Sequence, residues 1–261
     1  MAAVILSQHD ANVLEKIKDP ESNSSASVLV DPSLPKDPLI TDPSVYERIS
    51  QRERDVVLSV QQLEMQLAGL KPVTSDPIKD YHSAVSRLGD IISEYPKYAS
   101  ARNNRAQALR RLYGDTMLLQ TFNPRALVQA CDGQEIIKAA KTALSDLDEA
   151  IRLLTPKSLF ALVSPQTGKI LSLAYTQRAA IYHMTAKSMS DSRIYLGEDR
   201  KETEWTRIKF EEAASRDFAQ GGRFGNEIAK QLAVSTNPTA KLCGQMVREA
   251  LKKEYEPAYE D

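Results

Sequence analysis

An all-α fold of stacked helical hairpins, wound in a right-handed superhelix and closed by C-terminal capping helices, is what this sequence predicts. Three observations carry the expectation. From about residue 45 apolar residues recur three and four apart, while glycine is scarce at 10 in 261 and no alternating β-branched run marks a strand. Helix-boundary residues fall where that periodicity starts and stops. A small–large–small spacing recurs along the chain at the places where two helices would have to approach closely.

Residues 1–44 read as an extended arm. Each of Asp19-Pro20, Asp31-Pro32, Asp37-Pro38 and Asp42-Pro43 sets a proline that drives its predecessor out of the helical region, and a serine-rich ESNSSAS stretch lies among them. Within the arm, Asp10 caps a short helix with Val13, Leu14 and Ile17 on one face, which pins it to the body; a frayed terminus fits the same residues. Residues 45–218 carry the hairpins. Val56, Val57, Val60, Leu63 and Leu67 form one core face, Ala84, Val85, Leu88, Ile91 and Ile92 a second, and Ala143, Leu144, Leu147, Ala150, Ile151 and Leu154 a third. Asp76-Pro77 and Asn123-Pro124 place proline in the first turn of a helix, and Asp132 with Glu135 has the spacing of a capping box opening a helix that ends before Pro156. Residues 219–261 are the C-terminal helices and an acidic tail.

The repeat is tetratricopeptide-like (TPR). The second helix of such a unit has a small residue, a large one four later, a small one three beyond and then proline, so that its partner helix packs closely. Ala84, Leu88, Ile91 and Pro96 fit this pattern, as do Ala143, Leu147, Ala150 and Pro156, and more weakly Thr206, Phe210 and Ala213. Segments 52–69, 98–113 and 169–187 are the matching first helices, with Ala106 and Ala179 at the contact position and Leu109 and Tyr182 three further on. Successive units are stretched by insertions, chiefly at 116–138 and 188–202. The same spacing also fits an unrelated helical bundle. Leu88, Ala106, Leu147, Ala150, Ala179 and Phe210 are expected to be buried.

NNRAQALRRLYGD at 103–115, ALSDLDEAIRLL at 143–154, YTQRAAIYHMTAK at 175–187, FEEAA at 210–214 and NPTAKLCGQMV at 237–247 resemble the tetratricopeptide repeat protein 36 family over nearly the whole chain. The last string is the most specific: Asn237, Pro238, Leu242, Cys243 and Met246 match that family's C-terminal pattern. Asn237 is expected to cap a helix with Pro238 in its first position. Leu242 and Met246, with Cys243 beside them, are expected to cover the open end of the third hairpin; the competing reading makes this face the partner site.

Composition bounds the function. Lys plus Arg (34) nearly balances Asp plus Glu (35), a net charge of −1, which disfavours nucleic acid and anionic membranes as partners. Cys131 and Cys243 lie far apart with no CxxC or Cys/His spacing, which argues against a disulfide framework or zinc site and for a reducing, cytoplasmic setting. No apolar run reaches the length of a membrane span, and MAAVILSQHD lacks a basic leader. The sequon at Asn23 therefore carries no weight. His9, His82 and His183 are isolated; GxSxG, HExxH and P-loop patterns are absent; GGRFG at 221–225 reads as a helix stop and turn rather than a phosphate cradle. No cofactor or metal is expected, and no enzyme.

A binding groove is what stacked hairpins build, along their first helices. Position by position it would be lined by Asn103, Asn104, Gln107, Arg110 and Arg111 from the second unit and by Thr176, Gln177 and His183 from the third. Many TPR proteins grip the terminal carboxylate of heat-shock chaperones with converging Lys, Asn and Arg side chains. Here only Asn104 matches; the third-unit lysine and arginine fall on Leu173 and Gln177, and the first-unit lysine and asparagine near Ser59 and Leu63. The family resemblance implies binding to a 70-kDa heat-shock chaperone and a supporting role in tyrosine breakdown, while the residues point to a route other than a carboxylate clamp. The expectation is an adaptor, with a structural subunit that caps another protein through arm and C-terminal helices as the alternative.

Overall fold

Asp42 accepts the N–H groups of Ser44 and Val45, Pro43 takes the first helical position, and the 25-residue α1 (Pro43–Leu67) follows. Asp76-Pro77 repeats the device for α2 (Pro77–Glu94), as does Ser164-Pro165 for α5 (Pro165–Ser188). Between them lie α3 (Ala99–Tyr113) and α4 (Gly133–Leu154); α6 (Arg207–Arg223), α7 (Glu227–Thr236) and α8 (Pro238–Tyr255) complete the order. The computed structural model describes residues 28–119, 126–130, 132–158, 161–189, 194, 196–197 and 199–255. The expectations for residues 10–17, Asn23, Asn123-Pro124, Cys131 and the acidic tail lie outside them.

The chain is all-α. Among the described residues the one β-type contact is an isolated bridge between Val30 and Val163. Each helix from α1 to α7 packs on the next, so α1–α2, α3–α4 and α5–α6 form three consecutive hairpins, and α3 also touches α5. Leu88, Ala106, Leu147, Ala150, Ala179 and Phe210 are all buried, as the repeat spacing requires. Val57 and Leu67 depart from expectation: both are exposed, because the apolar stripe of α1 is wider than the face α2 covers.

Two local expectations need correction. Asp132 does cap α4 by accepting the Gln134 N–H, but the Glu135 carboxylate, instead of closing a capping box, receives the Tyr113 hydroxyl at 2.6 Å. Of the glycines in GGRFG only Gly225, with φ 99°, serves the turn. Gly221 and Gly222 are still inside α6, where an added Cβ would sit 2.5 Å from Thr176 Oγ1 and 2.8 Å from the Lys230 backbone respectively. They let α5, α6 and α7 approach closely.

The insertions fill the core. Met117 and Leu118, on a short 3-10 turn (Met117–Leu119), are fully buried against α4 and α5. From the second insertion Ile194 and Leu196 are buried. A second 3-10 turn (Lys201–Glu204) carries Glu202, and Trp205 just after it packs edge-on against Tyr182 and Phe210. The arm from Val28 to Asp42 runs from the third hairpin to the first: Asp31 N–H donates to Val163 O at 2.9 Å, Val163 N–H to Leu29 O at 3.0 Å, and Ser164 Oγ to Lys36 O at 3.2 Å.

Candidate functional site

Polar ties set α1, α3 and α5 side by side. Asn104 Nδ2 donates to Glu53 Oε1 at 2.7 Å and Arg111 Nε to Glu64 Oε1 at 2.7 Å, joining α3 to α1. Gln177 Nε2 donates to Asn103 Oδ1 at 2.8 Å and Arg110 Nη1 to Gln177 Oε1 at 3.2 Å, joining α3 to α5. These first helices frame a groove of about 970 Å³. Val56, Val57 and Val60 form its α1 wall, Met184 and Lys187 its α5 end, and Asn104, Gln107, Arg110 and Arg111 the α3 side between them.

Four of the eight expected groove residues therefore line it. Asn103 and Gln177 are buried and bond each other, since adjacent polar positions on a helix point about 100° apart and only one faces the groove. Thr176 Oγ1 donates to Ser172 O at 2.7 Å and accepts from Asn226 Nδ2 at 3.1 Å, fixing the start of α7. His183 turns toward α6, edge-on to Phe218 with ring centroids 6.3 Å apart. Burial, with Lys241 and Lys187 nearby, holds its pKa below the ordinary histidine value.

The groove's charges are largely satisfied from within. Arg110 makes a fork to both oxygens of Asp115, at 2.6 and 3.0 Å, and Arg111 pairs with Glu64, which also accepts the Tyr81 hydroxyl. Burial opposes ionisation of Glu64, yet hydrogen bonds from Arg111 and Tyr81 keep its pKa below the usual glutamate value. The carboxylate-clamp positions hold no converging cations: Ser59 Oγ donates to Val56 O, Leu63 and Gln177 are buried, Leu173 is exposed, and the Asn104 amide is held by Glu53. Val57, Val60, Gln61, Met184 and Lys187 were not expected here; the excess width of the α1 apolar stripe is a signal for Val57 and Val60, and none marked Gln61 or the two α5 residues.

At the C-terminal end the structure reverses an expectation. Asn237 Oδ1 accepts the N–H groups of Thr239 and Ala240, at 2.9 and 3.3 Å, and so caps α8 with Pro238 in its first turn. Leu242 and Met246, however, are 56% and 61% exposed, with Val247, Leu251 and Cys243 exposed beside them. The third hairpin is already covered by α7, whose Ala229 and Ala233 are buried and whose Ala233 O accepts from Ser215 Oγ of α6 at 2.7 Å. One tie from α8 to the body is an ion pair, Lys241 Nζ 3.3 Å from Glu211 of α6.

Among the described residues no group of three or more His, Cys, Asp or Glu side chains is placed to hold a metal, and no helix is long and apolar enough to cross a membrane. The chain is 37% identical over 255 residues to the L-tyrosine degradation gene cluster protein hmgX of Aspergillus fumigatus, covering 96% of this chain and 94% of that protein. It is 29% identical to tetratricopeptide repeat protein 36 of Danio rerio, covering 95% and 94%, and 27% identical to that of Homo sapiens, covering 77% and 76%. No protein-family model matches the chain. No solved structure matches it either.

Proposed function

Because this chain belongs to the tetratricopeptide repeat protein 36 family, we propose that it is a non-enzymatic interaction scaffold whose groove between α1, α3 and α5 holds a partner protein by an apolar face. The observation that carries this reading is the pairing inside the groove. With Asp115 on Arg110 and Glu64 on Arg111, an incoming carboxylate must displace an internal one and gains little, whereas Val57, Val60 and Met184 offer apolar surface to a partner helix. The partner proposed is a 70-kDa heat-shock chaperone, bound otherwise than by its terminal carboxylate. The name of the fungal relative supports a place for the scaffold in tyrosine breakdown, where it would sustain an enzyme of that route.

The test is binding of purified 70-kDa chaperone with and without its terminal acidic motif. Affinity is expected to change less than about threefold on deletion, under about 0.7 kcal/mol. Complete loss would return Arg110 and Arg111 to the role of anion ligands and overturn the apolar reading. A second reading, an assembly subunit that caps another protein, is favoured by one observation: the family string Asn237, Pro238, Leu242, Cys243 and Met246 lies on a helix whose apolar side is uncovered.

A further inference from the structure

We propose that Asp37 and Glu53 form a proton-operated latch between the arm and the groove helices, closed when Asp37 is protonated and loosened when it is ionised. The geometry is two carboxylates, one on the arm and one on α1, each sealed away from water and neither ion-paired among the described residues. Asp37, on the arm, is 2% exposed; its Oδ1 accepts the Leu39 N–H at 2.8 Å while its Oδ2 is buried without a partner among the described residues. Glu53, on α1, is 6% exposed and accepts from Tyr98 Oη at 2.5 Å and Asn104 Nδ2 at 2.7 Å. A buried charge without a counter-ion is costly, and the cheapest remedy is to take up a proton.

The groups that face the pair are few. Tyr46 of α1 lies near both carboxylates and meets Tyr98 edge-on at 6.3 Å, and Lys36 stands over the Tyr46 ring with Nζ 5.6 Å from its centre rather than on a carboxylate. From α3 the contacts are Tyr98, just before it, and Ser100 and Asn104, all three hydrogen-bonded to Glu53; from α5, the neutral Ser164 and Thr167 hold the neighbouring Lys36 carbonyl. Burial pushes the Asp37 carboxyl above its ordinary value, against two backbone hydrogen bonds, and burial likewise raises Glu53, with Asp37 adding to the effect.

The sign follows. A carboxyl whose folded pKa lies above its unfolded one contributes stability fully below the unfolded value, here 3.8, and loses it as pH rises toward the folded value. The arm should therefore be held most firmly in acid, opposite to what a salt-bridged aspartate gives. Because Asn104 both donates to Glu53 and lines the groove, the latch also links arm release to the groove wall. That link rests on the groove reading; the latch itself does not.

The experiment is amide hydrogen exchange of residues 28–42 in the full chain between about pH 3.5 and pH 8, corrected for intrinsic rates, for the wild type and for Asp37→Asn. Wild-type protection is expected to fall about tenfold for each unit by which the Asp37 pKa is raised, and Asp37→Asn to lose most of that slope, keeping only the part that buried Glu53 contributes. Glu53→Gln, which keeps the size of the side chain, should reduce the wild-type slope without abolishing it. Equal slopes in the wild type and Asp37→Asn would overturn the latch, as would wild-type protection that rises with pH. Neither outcome depends on partner binding, so failure of the latch is separable from failure of the groove.

Discussion

Arg178→Ala is expected to cost about 3–5 kcal/mol of folding stability, the range for breaking one side of a buried ion pair. In a chain of this size that lowers the melting temperature by roughly 6–20 °C. Arg178, on α5, forks onto Asp217 of α6 at 2.7 and 2.9 Å and reaches Asp148 of α4 at 2.7 Å, so one guanidinium joins three helices. The other Asp148 oxygen takes Arg200 at 2.8 Å, and Arg200 holds Glu202, which also accepts the Tyr182 hydroxyl at 2.8 Å. Removing Arg178 leaves Asp217, 5% exposed, as a buried carboxylate without its cation. Two measurements check this. The double variant Arg178→Ala/Asp217→Ala should be more stable than Arg178→Ala alone, and acidification should stabilise the single variant relative to the wild type, because an orphaned carboxylate regains stability on protonation. A melting shift under about 2 °C would place the network on the surface in energetic terms.

Leu147→Ala is the second large effect, about 2–5 kcal/mol by denaturant unfolding. Leu147 is fully buried on α4 between Ala143 and Ala150, with Ala106 and Ala179 of the facing first helices also fully buried. An alanine methyl has no rotamer by which to move into the space a leucine leaves, so the cavity persists and the cost belongs in the upper half of that range. An unchanged midpoint would show that Leu147 does not hold the hairpins together.

Most of the fold was legible because close helix packing constrains residue size at fixed spacing. Ala143, Leu147 and Ala150 announce a crossing whatever lies around them, and Asp42, Asp76 and Asn237 before proline announce helix starts. The site was legible only in part. Spacing places Asn103, Asn104, Thr176 and Gln177 on the correct helices, but a rotation of about 100° per residue decides between groove and interface, and small errors of register exchange them. Asp115 stands only five residues after Arg110, but beyond the end of α3, where helical spacing cannot say that the chain folds back onto the guanidinium, and the Arg111 partner Glu64 comes from another helix 47 residues away. The outward face of α8 was illegible for a different reason. Amphipathicity says that Leu242 and Met246 share a side; whether anything covers that side depends on where α7 comes to rest.

The most direct test of the scaffold's binding mode is affinity for a purified 70-kDa heat-shock chaperone, measured for the wild type, for Val57→Asp in the groove and for Leu242→Asp/Met246→Asp on α8. All these side chains are exposed, so folding stability should stay within roughly 0.5 kcal/mol of the wild type in both variants. A partner site in the groove requires Val57→Asp to weaken binding at least about tenfold, 1.4 kcal/mol, while the α8 variant binds as the wild type does. Unchanged binding by Val57→Asp together with loss in the α8 variant would contradict it, and would move the partner site from the groove to the uncovered face of the last helix.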